Sequence, residues 1–157
     1  PPPFSPAAQI GAMEPMGFFD PLGFTKVGDE AGFNKLRASE IKHGRVAMMA
    51  SVGLLGQHFI KFPGFEKTPA GFAAMGTGEG LAGFVGIFLL SAFLELAWRE
   101  KDGAEPGNFG DPLGINMYNE EMRLKEISNG RFAMICVFGI LAAEIATGKD
   151  AIQQFGF

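Results

Sequence analysis

One cysteine, one tryptophan and one tyrosine are all that 157 residues contain of those three types. Cys136 alone excludes an intrachain disulfide and any zinc or iron–sulfur site built from several thiolates. Charge is scarce too: Asp, Glu, Lys and Arg make up 19% of the chain, against about 25% in ordinary soluble domains. There is no run of Lys or Arg, and 13 basic against 17 acidic residues leave a net charge of −4, so nothing here is suited to gripping nucleic acid phosphates. Stretches rich in Val, Ile and Thr are missing, which argues against β architecture. A hydrophobic share of 47% and a mean hydropathy of +0.16 exclude a disordered chain.

What is present is glycine (23), phenylalanine (17) and three uncharged runs, Val46 to Ile60, Gly80 to Leu94 and Phe132 to Ala143. None reaches the roughly 18 residues that mark a membrane helix unaided. Each becomes long enough once neighbouring ionisable residues are admitted: Glu40 to Arg45, Glu95, and Glu126 to Arg131. Charges inside a spanning segment are expensive and therefore pair or serve a function. If all three runs cross, Lys26, Lys35, Arg37, Lys42, Arg99, Lys101, Arg123 and Lys125 share one side and only Lys61, Lys67 and Lys149 the other, a bias of the positive-inside kind. A soluble bundle of buried helices is the competing architecture. Residues 1–33, rich in Pro, Gly and Phe, read as an ordered surface arm of a processed chain.

An internal repeat runs at an offset of 86. Arg37-Ala-Ser-Glu40-Ile-Lys-His43-Gly44-Arg45-Val-Ala-Met48 is matched by Arg123-Leu-Lys-Glu126-Ile-Ser-Asn129-Gly130-Arg131-Phe-Ala-Met134, and each copy follows an Asp-Pro-Leu-Gly, at Asp20 and at Asp111. Glu40 and Arg45 are five residues apart, about 140° around a helix, and cannot meet. Crossing the two copies solves this, with Glu40 facing Arg131 and Glu126 facing Arg45. Small residues recur at every third position, at Gly44, Ala47, Ala50, Gly53 and Gly56 and at Gly130, Ala133, Cys136, Gly139 and Ala142. That stripe suits either close helix packing or a flat ligand.

Three residues after each Glu stands a group with a lone pair, His43 or Asn129. In an apolar layer it needs a donor, an acceptor or a metal. A chlorophyll magnesium, already held by four ring nitrogens, asks for one axial donor; a hydrogen-bonded, purely structural role is the alternative for both. Glu95 is either such a donor or a helix-end carboxylate, and His58 reads as interfacial. Gly78-Glu-Gly-Leu-Ala-Gly83 has the dinucleotide spacing, but no strand pattern precedes it. No nucleophile elbow, HExxH or Walker sequence occurs, so no enzyme is expected.

Glu40-Ile-Lys-His-Gly-Arg45 and Glu126-Ile-Ser-Asn-Gly-Arg131, with both Asp-Pro-Leu-Gly entries and Thr147-Gly-Lys149, resemble the paired signature of the light-harvesting chlorophyll-binding family over nearly the whole chain. The resemblance is to algal chlorophyll a/c antennae, of the dinoflagellate peridinin type or the diatom fucoxanthin type. It implies an all-α integral membrane fold: one domain over 1–157, with helices at 34–60, 80–100 and 117–146, the first and third crossed as a pseudo-twofold ion-paired pair, and an amphipathic segment at 147–157. It implies chlorophyll ligation by Glu40, His43, Glu126, Asn129 and Glu95, with Gln57 as a further ligand and Arg45 and Arg131 as the neutralising partners. Ala143 replaces a Gln ligand of the plant proteins, and Glu144, one residue out of register, faces elsewhere. The implied cofactors are chlorophyll a, chlorophyll c and carotenoids (peridinin or fucoxanthin, and a diadinoxanthin-like one), with structural lipid. The implied partners are a photosystem core, photosystem I favoured over photosystem II, and other antenna subunits within thylakoid lipid. The implied location is the chloroplast thylakoid, with a stromal amino terminus and a lumenal carboxy terminus. A stress-type relative that dissipates excitation and a pigment-free structural subunit are the rival readings.

Overall fold

The computed structural model describes residues 1–100 and 103–157; Lys101, counted in the charge bias, lies outside the described residues. The described residues form three helices and no strands: α1 (Glu30–Phe59), α2 (Gly78–Ala97) and α3 (Glu120–Thr147). Short 3-10 turns lie at Pro6–Ala8, Phe72–Gly76 and Gln153–Phe155.

Each helix begins where a short polar side chain satisfies free backbone N–H groups. The Asp29 carboxylate accepts the Gly32 N–H at 2.9 Å, the Thr77 hydroxyl the Gly80 N–H at 3.1 Å, and the Asn119 amide oxygen the Met122 N–H at 2.9 Å. Glu30, Glu79, Glu120 and Glu121 then sit in the first turns, where the helix dipole favours negative charge. These caps set the starts at 30, 78 and 120 where the resemblance implies 34, 80 and 117. Helix α3 ends at Gly148, whose φ of +69° and N–H bond to the Glu144 carbonyl at 2.7 Å close the last turn. The glycine-spaced segment from Gly78 is the opening of α2.

Helices of 30, 20 and 28 residues are roughly 45, 30 and 42 Å long, enough to cross a hydrocarbon layer of about 30 Å. Among the described residues, only α2 and α3 are also apolar enough to qualify as spans by composition; α1, diluted by Lys42, His43, Gln57 and His58, is not. Just 6% of the apolar stretch of α2 and 17% of that of α3 is buried. Ile87, Phe88, Leu89, Phe93 and Leu96 are each more than 60% exposed. A soluble bundle hides such side chains, so the low burial favours an apolar surrounding over a water-facing one.

The chain divides into two compact units. The first holds Pro1–Arg45 and Glu100–Phe132, and the second Val46–Arg99 and Ala133–Phe157. The first contains the amino-terminal parts of α1 and α3 with buried Phe33, Ile41 and Ile127; the second contains α2 and the remainders of α1 and α3 with buried Ala47, Ala133 and Ala151.

Candidate functional site

In the first unit α1 and α3 meet at glycine. A Cβ built on Gly44 would lie 3.0 Å from the Gly130 Cα, and one on Gly130 the same distance from the Gly44 Cα. Any other residue at either position would push the backbones apart. This approach brings the repeated charges within reach of each other. Arg45 Nε stands 2.6 Å from Glu126 Oε1, and Arg131 Nε 2.7 Å from Glu40 Oε1. The four side chains keep between 29 and 38% exposure, so the pairs are shielded and still accessible.

The guanidinium forks do a second job. Arg131 Nη1 donates to the Gly11 carbonyl at 2.6 Å, and Arg45 Nη2 to the Gly107 carbonyl at 2.9 Å. Each arginine thus ties a carboxylate of the opposite helix to an irregular segment, which a planar fork with several donors does and an ammonium does not. Arg45 also lies over the Phe109 ring, 5.4 Å from its centroid.

His43 and Asn129 lie one turn beyond the two carboxylates, exposed on the same two helices. The Ser39 carbonyl is 2.7 Å from His43 Nδ1. A carbonyl only accepts, so in the neutral imidazole Nδ1 carries the proton and Nε2 keeps an unshared pair, the form that ligates metal. The Asn129 side chain makes no hydrogen bond among the described residues and is open to a ligand.

The two Asp-Pro-Leu-Gly segments have the same construction. Asp20 accepts the Phe24 N–H at 3.0 Å and the Thr25 N–H and hydroxyl at 2.9 and 2.6 Å. Asp111 accepts the Ile115 and Asn116 N–H groups at 3.1 and 2.7 Å. Gly23 and Gly114 supply the positive φ of each turn, +67° and +64°. The Thr25 hydroxyl foremost holds the Asp20 carboxyl below its ordinary range, and the Asn116 N–H foremost does so for Asp111.

The remaining candidates fall in the second unit. Glu95 is exposed on α2. Gln57 is half-buried, and its Nε2 is buried without a hydrogen-bond partner. The residues beyond the repeat signature reciprocate as well. His58, near the end of α1, meets Asp150 Oδ2 through Nδ1 at 2.9 Å, so it fastens the segment that follows α3. Its counterpart 86 positions on, Glu144, accepts the Ala73 N–H at 3.2 Å and so fastens the segment that follows α1. Glu144 is buried, with the second carboxylate oxygen unpartnered, and its carboxylate occupies the space a Cβ on Gly71 would need. Burial raises the Asp150 carboxyl, but the Gln153 N–H and His58 outweigh it and leave the group below its ordinary range.

Two kinds of residue escaped the sequence reading. Arg37 and Arg123, identical at the same offset, carried a signal in the repeat itself. The carbonyls of Ile10, Gly11 and Gly107 carried none, because any residue supplies one. Arg37 Nη1 reaches Glu40 Oε2 at 2.5 Å while Nη2 donates to the Ile10 carbonyl at 2.7 Å.

An all-helical protein, with two helices apolar enough to span a membrane and two duplicated helices joined by reciprocal carboxylate–guanidinium contacts, is the class that fold and site define. The chain belongs to the chlorophyll A-B binding protein family, whose pattern matches residues 5–145. It is 37% identical to fucoxanthin-chlorophyll a-c binding protein A, chloroplastic, of Macrocystis pyrifera, over 92% of this chain and 75% of that one. It is 37% identical to protein F and 38% to protein E of the same description in Phaeodactylum tricornutum, each over 87% of this chain and 78% of the relative.

Proposed function

We propose that this chain is a photosynthetic light-harvesting antenna subunit, a single domain over 1–157 that binds chlorophyll a, chlorophyll c and carotenoid, fucoxanthin being the carotenoid its relatives are named for. When bound, these pigments absorb light, pass excitation on to a photosystem, and quench triplets through the carotenoid. The protein catalyses no bond change; its work is to hold rings at fixed positions. Glu40, His43, Glu126 and Asn129, with Gln57 and Glu95, are the proposed axial donors to chlorophyll magnesium, a hard cation that takes oxygen and nitrogen.

The observation that carries the reading is the reciprocal pairing of Glu40 with Arg131 and Glu126 with Arg45. A neutralised carboxylate is tolerated in an apolar layer and keeps lone pairs for a metal that needs a single donor. The fit extends to His43, whose Nε2 is free, and to the second unit, where Gly53, Gly56 and Gly139 have nothing within 4 Å of a built Cβ. The small-residue stripe therefore divides: Gly44 and Gly130 serve packing, and the later glycines leave open surface against which a carotenoid can lie. Three crossings, α1 included, put the amino terminus on the stromal side of the thylakoid and the carboxy terminus on the lumenal side, in keeping with the basic side. The partners proposed are a photosystem core, photosystem I favoured, other antenna copies and thylakoid lipid. The test is the absorption spectrum and pigment chromatography of the purified complex. Chlorophyll a and c bands with a stoichiometric carotenoid are expected, and a complex without chlorophyll overturns the reading.

A further inference from the structure

The repeat places an arginine three residues before each carboxylate, Arg37 before Glu40 and Arg123 before Glu126, and on a helix that spacing makes neighbours. The structure uses only one of the two. Arg37 takes Glu40 Oε2, so that with Arg131 on Oε1 both oxygens of Glu40 accept from guanidinium groups. Arg123 turns away. Its Nη1 pairs with Glu105 at 2.8 Å, its guanidinium lies 5.6 Å from the centroid of the Tyr118 ring, and the Tyr118 hydroxyl donates to the same Glu105 oxygen at 3.3 Å. Glu126 is left with Arg45 alone, and its Oε2 accepts no hydrogen bond among the described residues. The cluster at Glu40 carries one excess positive charge, and the pair at Glu126 carries none.

We infer that Arg37 and the Glu105–Tyr118 anchor of Arg123 make the two carboxylates unequal as axial donors, Glu126 holding its chlorophyll the more tightly and Glu40 releasing its own first. Each charge-assisted bond draws electron density from a carboxylate and occupies a lone pair, and the surplus charge at Glu40 repels a metal centre. Arg37 and Glu105 touch no magnesium in this scheme and are positioning residues. The inference rests on the proposed ligation by Glu40 and Glu126.

The experiment follows chlorophyll release from the detergent-solubilised complex by gel filtration and pigment chromatography, with helical circular dichroism as the check on folding. Two double variants assign the sites: Glu40→Leu with Arg131→Leu, which leaves Arg37 its bond to the Ile10 carbonyl, and Glu126→Leu with Arg45→Leu, which leaves no charge of the pair behind. If neither lacks a chlorophyll, the ligation reading itself fails. If each lacks one, the fastest release phase is expected to vanish in the Glu40 double variant and to persist in the Glu126 one. Arg37→Gln is expected to slow that phase on the order of tenfold, the effect of one charge-assisted bond, while Arg37→Lys keeps it near the wild-type rate. A purely structural role predicts the opposite sign, faster release from both sites. Glu105→Ala frees Arg123 and is expected to speed release from Glu126 alone, which decides the matter should Arg37→Gln not fold. Equal release from the two sites, or indifference to Glu105→Ala, overturns the inference.

Discussion

The cost of the site is concentrated in single residues. Arg45 is bonded to Glu126 and to the Gly107 carbonyl, so Arg45→Leu leaves a carboxylate and a backbone oxygen without their donor. Breaking a buried pair costs about 3–5 kcal/mol. Both partners here keep close to 30% exposure, and the expected loss is nearer 2–3 kcal/mol, read as a lower melting temperature together with incomplete pigment assembly. Arg45→Lys restores the charge without the fork and should fall between the two. Normal melting and pigment content in Arg45→Leu would count against the pair as a support of the fold. The glycines make a contrast that no charge argument touches. Gly44→Ala sets a methyl 3.0 Å from the backbone of Gly130, where nothing flexible can give, and should destabilise by about 1–3 kcal/mol. Gly53→Ala meets no protein atom within 4 Å, so helix packing should be unaffected, and any loss should fall on the carotenoid proposed to lie there, read as a lower carotenoid content at unchanged helicity.

At the scale of elements, the duplication is visible wherever the same residue type does the same work. Glu40 and Glu126, Arg45 and Arg131, and Gly44 and Gly130 were legible as pairs because identity at one offset demands one geometry, and the two Asp-Pro-Leu-Gly turns because the same four residues precede each copy. Arg37 and Arg123 show why identity is insufficient. Arg37 keeps Glu40 within the repeat and adds the Ile10 carbonyl in the arm, whereas Arg123 takes Glu105 before α3, and long-range choices of that kind leave no mark on local spacing. His58 and Glu144 show the reverse, different residues at equivalent positions each fastening the segment that follows the other's helix.

The acids outside the helices give this scale its pH dependence. Asp20, Asp111 and Asp150 all have carboxyls lowered in the folded chain. A lowered folded value means that the stabilising contribution is complete above the ordinary carboxylate value near 3.8 and disappears as pH falls through the depressed one. All three anchors are therefore expected to be intact from neutrality down to about pH 5 and to open only in stronger acid. Carboxyl titration followed by NMR reads each directly, and a midpoint at or above the ordinary carboxylate value would contradict the anchoring. Asp150→Asn should loosen the carboxy-terminal segment, detectable as faster proteolysis there, and leave the first unit untouched.

For the whole molecule the number of crossings turns on α1. Composition alone counts α2 and α3 and stops, because α1 carries Glu40, Lys42, His43, Arg45, Gln57 and His58 within its length. A hydropathy sum charges each of these residues its full price. In the fold Glu40 and Arg45 are each bonded to an opposite charge, and His58 to Asp150, so much of that cost is already met inside the protein. If α1 crosses, the number of spans is odd and the two ends of the chain lie on opposite faces; if it lies along the surface, the number is even and they share a face. The single native cysteine makes the distinction measurable. In a Cys136→Ser background, a cysteine placed by Ser5→Cys and one placed by Gln154→Cys, each alone in sealed vesicles, should react with an impermeant thiol reagent from opposite sides. Labelling of both from the same side would remove α1 from the membrane and, with it, the argument that lipid enforces the pairing of Glu40 with Arg131 and of Glu126 with Arg45.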